Sequence, residues 1–402
     1  MSEEGAIFRR YLAQTSPAPI GLEIVRAEGS WLYAADGRRY LDLIAGIGVT
    51  AIGHGDPAVL EALERQARRH LHVMVYGEYV IEAQAMLARR LVELMPAGID
   101  RVYFTNSGAE AIEGALKLAR KHTGRDAFVA FEGAYHGDTM GALALMGNPA
   151  FRAPFGALPG PVRHLPWDDL DALAAIDATV AAVVIEPVQA EGGVRVPSGA
   201  FIRALRARCD RAGALLIFDE VLTGFGRTGR LFALEHFGVT PDIVVLAKAL
   251  GGGLPLGAFC GGDALIGELA HDPPLGHITT FGGHPLSCAT GLASLEVIVG
   301  ERLWERAATV GDQFRTRIGG ALVAPEIIAI RGIGMLIGIE FAQTSIAHRF
   351  VAGALARGVV INWTLNAERV VRLAPPLTIT AAELDFAFAA MTDALAAACV
   401  GA

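Results

Sequence analysis

Lysine is nearly absent from this 402-residue chain. Of its 34 basic residues only Lys117, Lys121 and Lys248 are lysines; the other 31 are arginines. Cysteine is almost as scarce. Cys209, Cys260, Cys288 and Cys399 lie far apart and match neither a disulfide framework nor a metal-ligand spacing, so reduced thiols in a cytosolic protein are expected. Of the histidines only His70 and His72 are closely spaced, with no third ligand nearby, and no metal site is expected there. No block of like charge occurs, and a net charge of -8 argues against nucleic acid as a partner. No long apolar run is free of helix breakers. The longest, Ile243 to Cys260, contains Lys248, four glycines and Pro255, which makes it a poor membrane span. The opening MSEEGAIFRRYL has no apolar core ahead of a cleavage site, so no signal peptide is expected. Internal repeats and low-complexity linkers are missing too.

What is there is length and apolar content, with 52% hydrophobic residues spread along the whole chain. A chain this long exceeds one simple core and points to two domains. Short apolar runs at Arg101–Phe104, Ala127–Phe131, Ala181–Ile185, Leu215–Phe218 and Ile243–Leu246 alternate with helical patterns such as Ala109–His122 and Phe201–Ala212. Continuous apolar strands separated by helices predict an α/β fold with a mostly parallel sheet covered on both faces. Towards the C-terminus the pattern changes. Leu286 to about Gly319 reads as long helix with a break near Gly300. Ile327–Ile330 and Met335–Phe341 read as a hairpin across an Arg331-Gly-Ile-Gly turn. A last helix starts at a Thr380/Glu383 capping box. The expected division is a large domain over residues 51–295 and a smaller α+β domain from residues 1–50 and 296–402.

In parallel sheets ligands sit at the carboxyl ends of the strands. Asn106 to Gly108, Tyr135, His136, Glu186, Asp219 and Lys248 all fall there. Lys248 is the only charged residue between Asp242 and Asp263. A chain that otherwise uses arginine has kept one lysine in an apolar setting. Only an amine can lose its proton and attack a carbonyl, which gives the residue an imine-forming role against the plainer reading of a snorkelling side chain. Phe104-Thr-Asn-Ser-Gly-Ala-Glu ends a strand and opens a helix, whose N-terminus suits a phosphate, with Ser107 adding a hydroxyl and Gly108 close approach; Ser107-x-x-Glu110 is equally a plain capping box. Asp219 lies 29 residues before Lys248, about one βαβ unit, so neighbouring strands can present a carboxylate and an amine to one small ligand. A carboxylate beside a pyridine nitrogen favours its protonated form. Tyr135, after a strand, can stack on a planar ring or simply pack in the core.

Several segments taken together resemble the class III aminotransferases of fold type I, the group that includes acetylornithine, ornithine and 4-aminobutyrate aminotransferases. They are Asn106-Ser-Gly-Ala-Glu-Ala, Glu186-Pro-Val-Gln-Ala-Glu-Gly-Gly, Phe218-Asp-Glu-Val, Phe225-Gly-Arg-Thr-Gly, Leu246-Ala-Lys-Ala-Leu-Gly-Gly-Gly, Thr280-Phe-Gly-Gly-His-Pro-Leu and Arg372-Leu-Ala-Pro-Pro-Leu. The resemblance runs from about Gly21 to Ala390. It implies pyridoxal 5′-phosphate carried as a Schiff base on Lys248, with Asp219 on the pyridine nitrogen, Val221 on one ring face, and Tyr135 on the other with His136 beside it. Ser107, Gly108 and Ala109 are expected to hold the phosphate, completed by Thr280 of a second copy in a homodimer. Arg372 is implied as the substrate-carboxylate site, gated by Glu191. Departures from the family are Leu222 where Gln is common, Asp138 where Arg is common, and His284 where Asn is usual. Asp138, with Glu78 in Tyr76-Gly-Glu-Tyr, is expected to favour a cationic far end of the substrate, and Tyr76 is expected among the substrate-binding residues.

The expected reaction is ω-type transamination between a donor with a distal amine and a 2-oxo acid, by a ping-pong cycle. Racemases, decarboxylases and aminomutases share the same fold and lysine and differ in which Cα bond is aligned with the ring. A binding or regulatory relative is the non-enzymatic alternative, which the intact Lys248 and Asp219 disfavour.

Overall fold

The structure, a computed structural model, describes residues 2–399. An N-terminal meander, β1 (Ile24–Glu28), β2 (Trp31–Ala34) and β3 (Arg39–Asp42), precedes the central sheet. That sheet contains β4 (Arg101–Thr105), β5 (Ala127–Phe131), β6 (Val162–Leu165), β7 (Val180–Ile185), β8 (Leu215–Asp219), β9 (Ile243–Leu246) and β10 (Gly257–Gly261), in the spatial order β4-β10-β9-β8-β7-β5-β6. The C-terminal strands are β11 (Ile327–Ile333), β12 (Leu336–Phe341), β13 (Val359–Val360), β14 (Asn362–Thr364) and β15 (Ala367–Leu373). β13 joins the N-terminal meander parallel to β3; the other four form an antiparallel sheet in the order β11-β12-β15-β14.

The five apolar runs are central-sheet strands, and their two faces explain why they are apolar throughout. Val129, Phe131, Val183, Ile185, Leu216, Phe218, Val244 and Leu246 point into one core. Phe128, Ala130, Ala182, Val184, Leu215, Ile217, Ile243 and Val245 point into a second core on the opposite face, shared with the helix Gly108–Thr123. A strand with both faces covered has no polar side to show, so its period-2 signal disappears. The pairings β5–β6, β5–β7, β7–β8 and β8–β9 are parallel; only β10 runs against its neighbours β4 and β9. β6 and β10 carry no clear strand signal in the sequence. β10 is glycine-rich and continuous with the apolar stretch after Lys248, and β6 is broken up by Arg163 and His164.

Two local expectations need correcting. Arg331-Gly-Ile is strand rather than turn: β11 extends to Ile333, and the chain reverses at Gly334 with φ +57. Ser107 caps its helix through Glu110 N at 3.1 Å, but the Glu110 carboxylate reaches one residue further back, to the backbone and side-chain nitrogens of Asn106 at 2.7 and 2.8 Å. The Thr380/Glu383 capping box forms in both directions, at 3.2 and 2.7 Å. Among the described residues no helix is long and apolar enough to cross a membrane.

Candidate active site

The carboxyl ends of β4, β5, β7, β8 and β9 open onto one cavity of about 570 Å³. Ser107, Gly108, Ala109, Tyr135, His136, Asp138, Glu186, Glu191, Asp219, Val221 and Lys248 all line it. Parallel neighbours β8 and β9 bring Asp219 opposite Val245, three residues before Lys248. The carboxylate and the amine thus arrive side by side because two adjacent strands end at the same level.

Lys248 begins a short 3-10 turn directly after β9 with φ +50, a left-handed conformation that costs a non-glycine residue free energy. Burial pulls its amine below the ordinary lysine value; the Glu191 carboxylate opposes this and Arg372 reinforces it. A larger share of neutral amine is what a carbonyl-attacking nucleophile requires.

Asp219 Oδ1 accepts the Val221 N–H at 2.9 Å, and Oδ2 lies 2.7 Å from His136 Nδ1. The histidine side chain is fully buried and the aspartate nearly so. Burial depresses His136, but the hydrogen bond to Asp219 and the charges of Asp219 and Glu186 outweigh it, and its value is raised. Its Nε2 is buried with no partner among the described residues. Glu186 accepts the N–H groups of Tyr135 at 3.2 Å and Ala190 at 2.9 Å, tying two walls of the cavity together; burial pushes its carboxyl up to about 7. Tyr135 donates its hydroxyl to Asp138 at 2.7 Å, and burial, helped by Asp138, raises its phenol.

At the cavity's other end the helix Gly108–Thr123 points its N-terminus inward. Among the described residues the N–H groups of Gly108 and Ala109 have no acceptor, as expected of a first helical turn. A Cβ on Gly108 would stand 3.1 Å from Val221 Cγ2 and 3.4 Å from Ala247, so only glycine leaves this cradle its width.

Arg372, on β15, is 1% exposed and pairs with Glu191. Burial alone would raise Glu191; the charge and hydrogen bond of Arg372, with the Leu365 N–H at 2.8 Å, hold it below the usual carboxylate range.

Three expected site residues, Arg372, Thr280 and Tyr76, are outside this lining: Arg372 is joined to it through Glu191, and Thr280 is the residue expected to serve a second copy's site. Thr280 is exposed and outside the cavity lining, although its neighbour Thr279 accepts a hydrogen bond from Asn106 at 2.9 Å. Tyr76 lines a separate cavity with Tyr103, Phe104 and Thr279. Val49, Leu254, Pro255 and Leu256 line the active-site cavity without having been singled out; ordinary apolar residues in loops carry no periodic signal. Leu222 packs against Gly48, whose φ is +76 and where a Cβ would overlap the leucine; a Cβ there would also stand 3.8 Å from Lys248 Cδ. His284 has a structural account: it caps the helix Pro285–Gly300, its Nδ1 accepting from Leu286 N at 3.3 Å, the task an asparagine performs at such a position. Among the described residues no cluster of three or more His, Cys, Asp or Glu could hold a metal ion.

The cavity fits pyridoxal phosphate on three observations. Helix N–H groups without acceptors, a buried Asp219–His136 pair and an amine with lowered proton affinity all belong to one cavity.

The family described as Aminotransferase class-III matches residues 11–395. The chain is 41% identical to the acetylornithine aminotransferase of Methanosarcina acetivorans over 366 residues, 90% of this chain and 89% of that protein. It is 42% identical to the putrescine aminotransferase of Pectobacterium atrosepticum over 370 residues, covering 88% and 78% of the two chains. The ornithine aminotransferase from Toxoplasma gondii, solved with partial occupancy of PLP at its active site, superposes with a TM-score of 0.91 at 33% identity, covering 98% of this chain and 93% of that one.

Proposed function

The chain belongs to the class-III aminotransferases, and from that premise we propose that it moves the distal amino group of an amino acid or diamine to a 2-oxo acid, with the residues described above in the roles that follow. Pyridoxal phosphate, when bound, supplies an electron sink conjugated to the carbon that gains or loses the proton. Gly108 and Ala109 N–H, with the Ser107 hydroxyl, would hold its phosphate, and Tyr135 and Val221 would hold its ring. Asp219, held by His136, would place its carboxylate at the pyridine nitrogen. Lys248 Nζ would accept the proton released from the substrate's amine-bearing carbon and give it up again within the same cycle, and its lowered proton affinity leaves more of the amine unprotonated to do so.

The observation that carries this reading is the convergence of Lys248, Asp219 and the helix N-terminus on one cavity. Exposed Thr280 supports a second copy as the source of the last phosphate contact. Its neighbourhood is apolar and uncovered: Phe281 is 53% exposed, Val80 98%, and Phe281 packs on His72 at 4.8 Å. The relatives' names support acetylated or plain diamino donors.

Arg372 tied to Glu191 cannot also hold a donor's carboxylate, so we assign the free fork to the 2-oxo acid and the closed pair to the amine donor. Arg372→Ala is therefore expected to lower kcat/KM for 2-oxoglutarate by at least about 30-fold. Consumption of donor in a single turnover without acceptor should change far less. Arg372→Lys, which keeps the charge and loses the fork, should fall between. Equal damage to both half-reactions would defeat the gate. Asp138 already accepts from Tyr135 and is exposed, so its preference for a cationic far end is modest. Asp138→Ala should weaken putrescine by at most about fivefold relative to 4-aminobutyrate, read as the ratio of kcat/KM; an unchanged ratio removes Asp138 from substrate selection.

A further inference from the structure

We propose that the turn between β14 and β15 is the latch of the Glu191 gate: the Leu365 N–H holds the gate carboxylate closed, and Asn366 is the positioning residue that sets the turn against it. The inference rests on the reading of Arg372 and Glu191 as a gate, and it names the part of the fold that sets how readily a carboxylate opens that gate.

Glu191 spends one carboxylate oxygen on Arg372 and the other on the Leu365 N–H, at 2.8 Å. A carboxylate arriving at Arg372 displaces the first contact, but Glu191 swings away only if the second breaks as well. Opening therefore costs two charge-assisted hydrogen bonds, of which the incoming group replaces only the one to Arg372. The main chain repeats the hold: the Asn366 N–H donates to the Glu191 carbonyl at 2.9 Å. Two consecutive residues thus grip the gate by both its side chain and its backbone. Those two residues are the whole connection between β14 and β15.

The turn is itself anchored. Thr364 Oγ1 donates across it to the Ala367 carbonyl at 2.8 Å. Asn366 Nδ2 donates to the carbonyls of Gly133 at 3.1 Å and Ala134 at 3.0 Å, the two residues before Tyr135 in the cavity wall. From outside the cavity its side chain joins the same two segments that Glu186 joins from inside, through Tyr135 N and Ala190 N. Close approach of the gate loop to the turn requires glycine. A Cβ on Gly193, at φ +102, would stand 3.2 Å from Ala367 Cβ and 3.2 Å from Val370 Cγ2. Arg331 fixes the end of that loop, its Nε donating to the carbonyls of Gly193 at 2.8 Å and Val194 at 3.2 Å. Leu365 and Asn366 lie outside the cavity lining, so their effect on a substrate passes through the residues they hold.

Leu365→Pro deletes the latch donor alone. Neither turn residue has a positive φ, the first central position of such a turn accepts proline, and Thr364 before it is already strand. The test is calorimetry on the holoenzyme with glutarate, a dicarboxylate with no keto group to react. Leu365→Pro should bind it about tenfold more tightly than the wild type, the scale of one hydrogen bond to a charged group. KM for 2-oxoglutarate should fall alongside by up to about tenfold. KM for putrescine, which brings no carboxylate, should move by no more than about twofold, because the gate stays mostly closed. Asn366→Ala and Asn366→Asp, which lose the donor to Gly133 and Ala134, should tighten glutarate by about threefold, so misfolding of the proline variant does not decide the matter. A turn that only supported the fold would weaken every ligand when disturbed; a gain confined to carboxylates marks a latch. Glutarate binding that is unchanged or weaker in the folded variants, while Arg372→Ala abolishes it, overturns the latch and leaves the gate standing. Glutarate binding that survives Arg372→Ala overturns the gate reading and the latch with it.

Discussion

Lys248→Ala is expected to lower turnover by about 10⁴-fold or more while the fold survives. One side chain supplies both the attacking amine and the proton carrier, so its loss removes two functions together and no neighbour stands in. Lys117 and Lys121 lie on the exposed side of the helix Gly108–Thr123, bonded to His277 and to the carbonyl of Glu268. Lys248→Arg should be equally inactive, since guanidinium does not give up its proton near neutrality. Stability should move the other way. A lysine whose folded value is depressed costs stability as soon as pH falls below the ordinary lysine value, where the unfolded chain already binds the proton, and the cost is full below the folded value. Near pH 7 the cofactor-free Lys248→Ala protein should therefore melt at or above the wild type in a thermal scan. Borohydride treatment of the wild-type holoenzyme should place its label on Lys248. Normal turnover by the alanine variant, or a label elsewhere, removes the basis of the proposed chemistry.

Asp219→Asn should cost at least about 100-fold in turnover, the scale of removing one preorganised electrostatic partner. Asparagine keeps the shape and the hydrogen bond to Val221 N but not the charge, so the loss reports charge rather than position. Asp219→Ala should in addition cost roughly 3–5 kcal/mol of stability, because it strands buried His136. The pH dependence carries a sign. His136 has a raised folded value, so its pairing with Asp219 stabilises fully below the ordinary histidine value near 6.5, and that contribution is lost as pH rises through the raised one. Urea midpoints of the wild type should fall across that window, and those of Asp219→Asn should fall less. Identical slopes would mean that the two groups are not coupled.

Both effects depend on residues readable in the sequence, and the reasons differ. Lys248 stood out against a background of arginine, and its apolar surroundings reflect burial on both faces of β9. Asp219 was placed because strand ends can be read where apolar runs stop, and parallel neighbours end at one level. Arg331 to Ile333 misled because Gly332 and Gly334 look like a turn pair, yet only Gly334 reverses the chain; Gly332 is a strand residue paired with Ile337, and glycine is needed there because a Cβ would overlap the Leu336 carbonyl. β6 stayed hidden because an edge strand, paired on one side only, can carry Arg163 and His164 without penalty.

By itself the sequence determined which chemical groups exist and where the five apolar strands of the central sheet end, since apolar runs and helix caps are local properties. Tertiary structure alone decided that Tyr76 faces a different cavity, and that Val49 and Leu254, more than two hundred residues apart, form one wall. It also decided that the buried Thr50 hydroxyl is left without a partner among the described residues. Such encounters depend on how loops close over the sheet, and loop paths answer to packing across the whole core rather than to the residues that compose them.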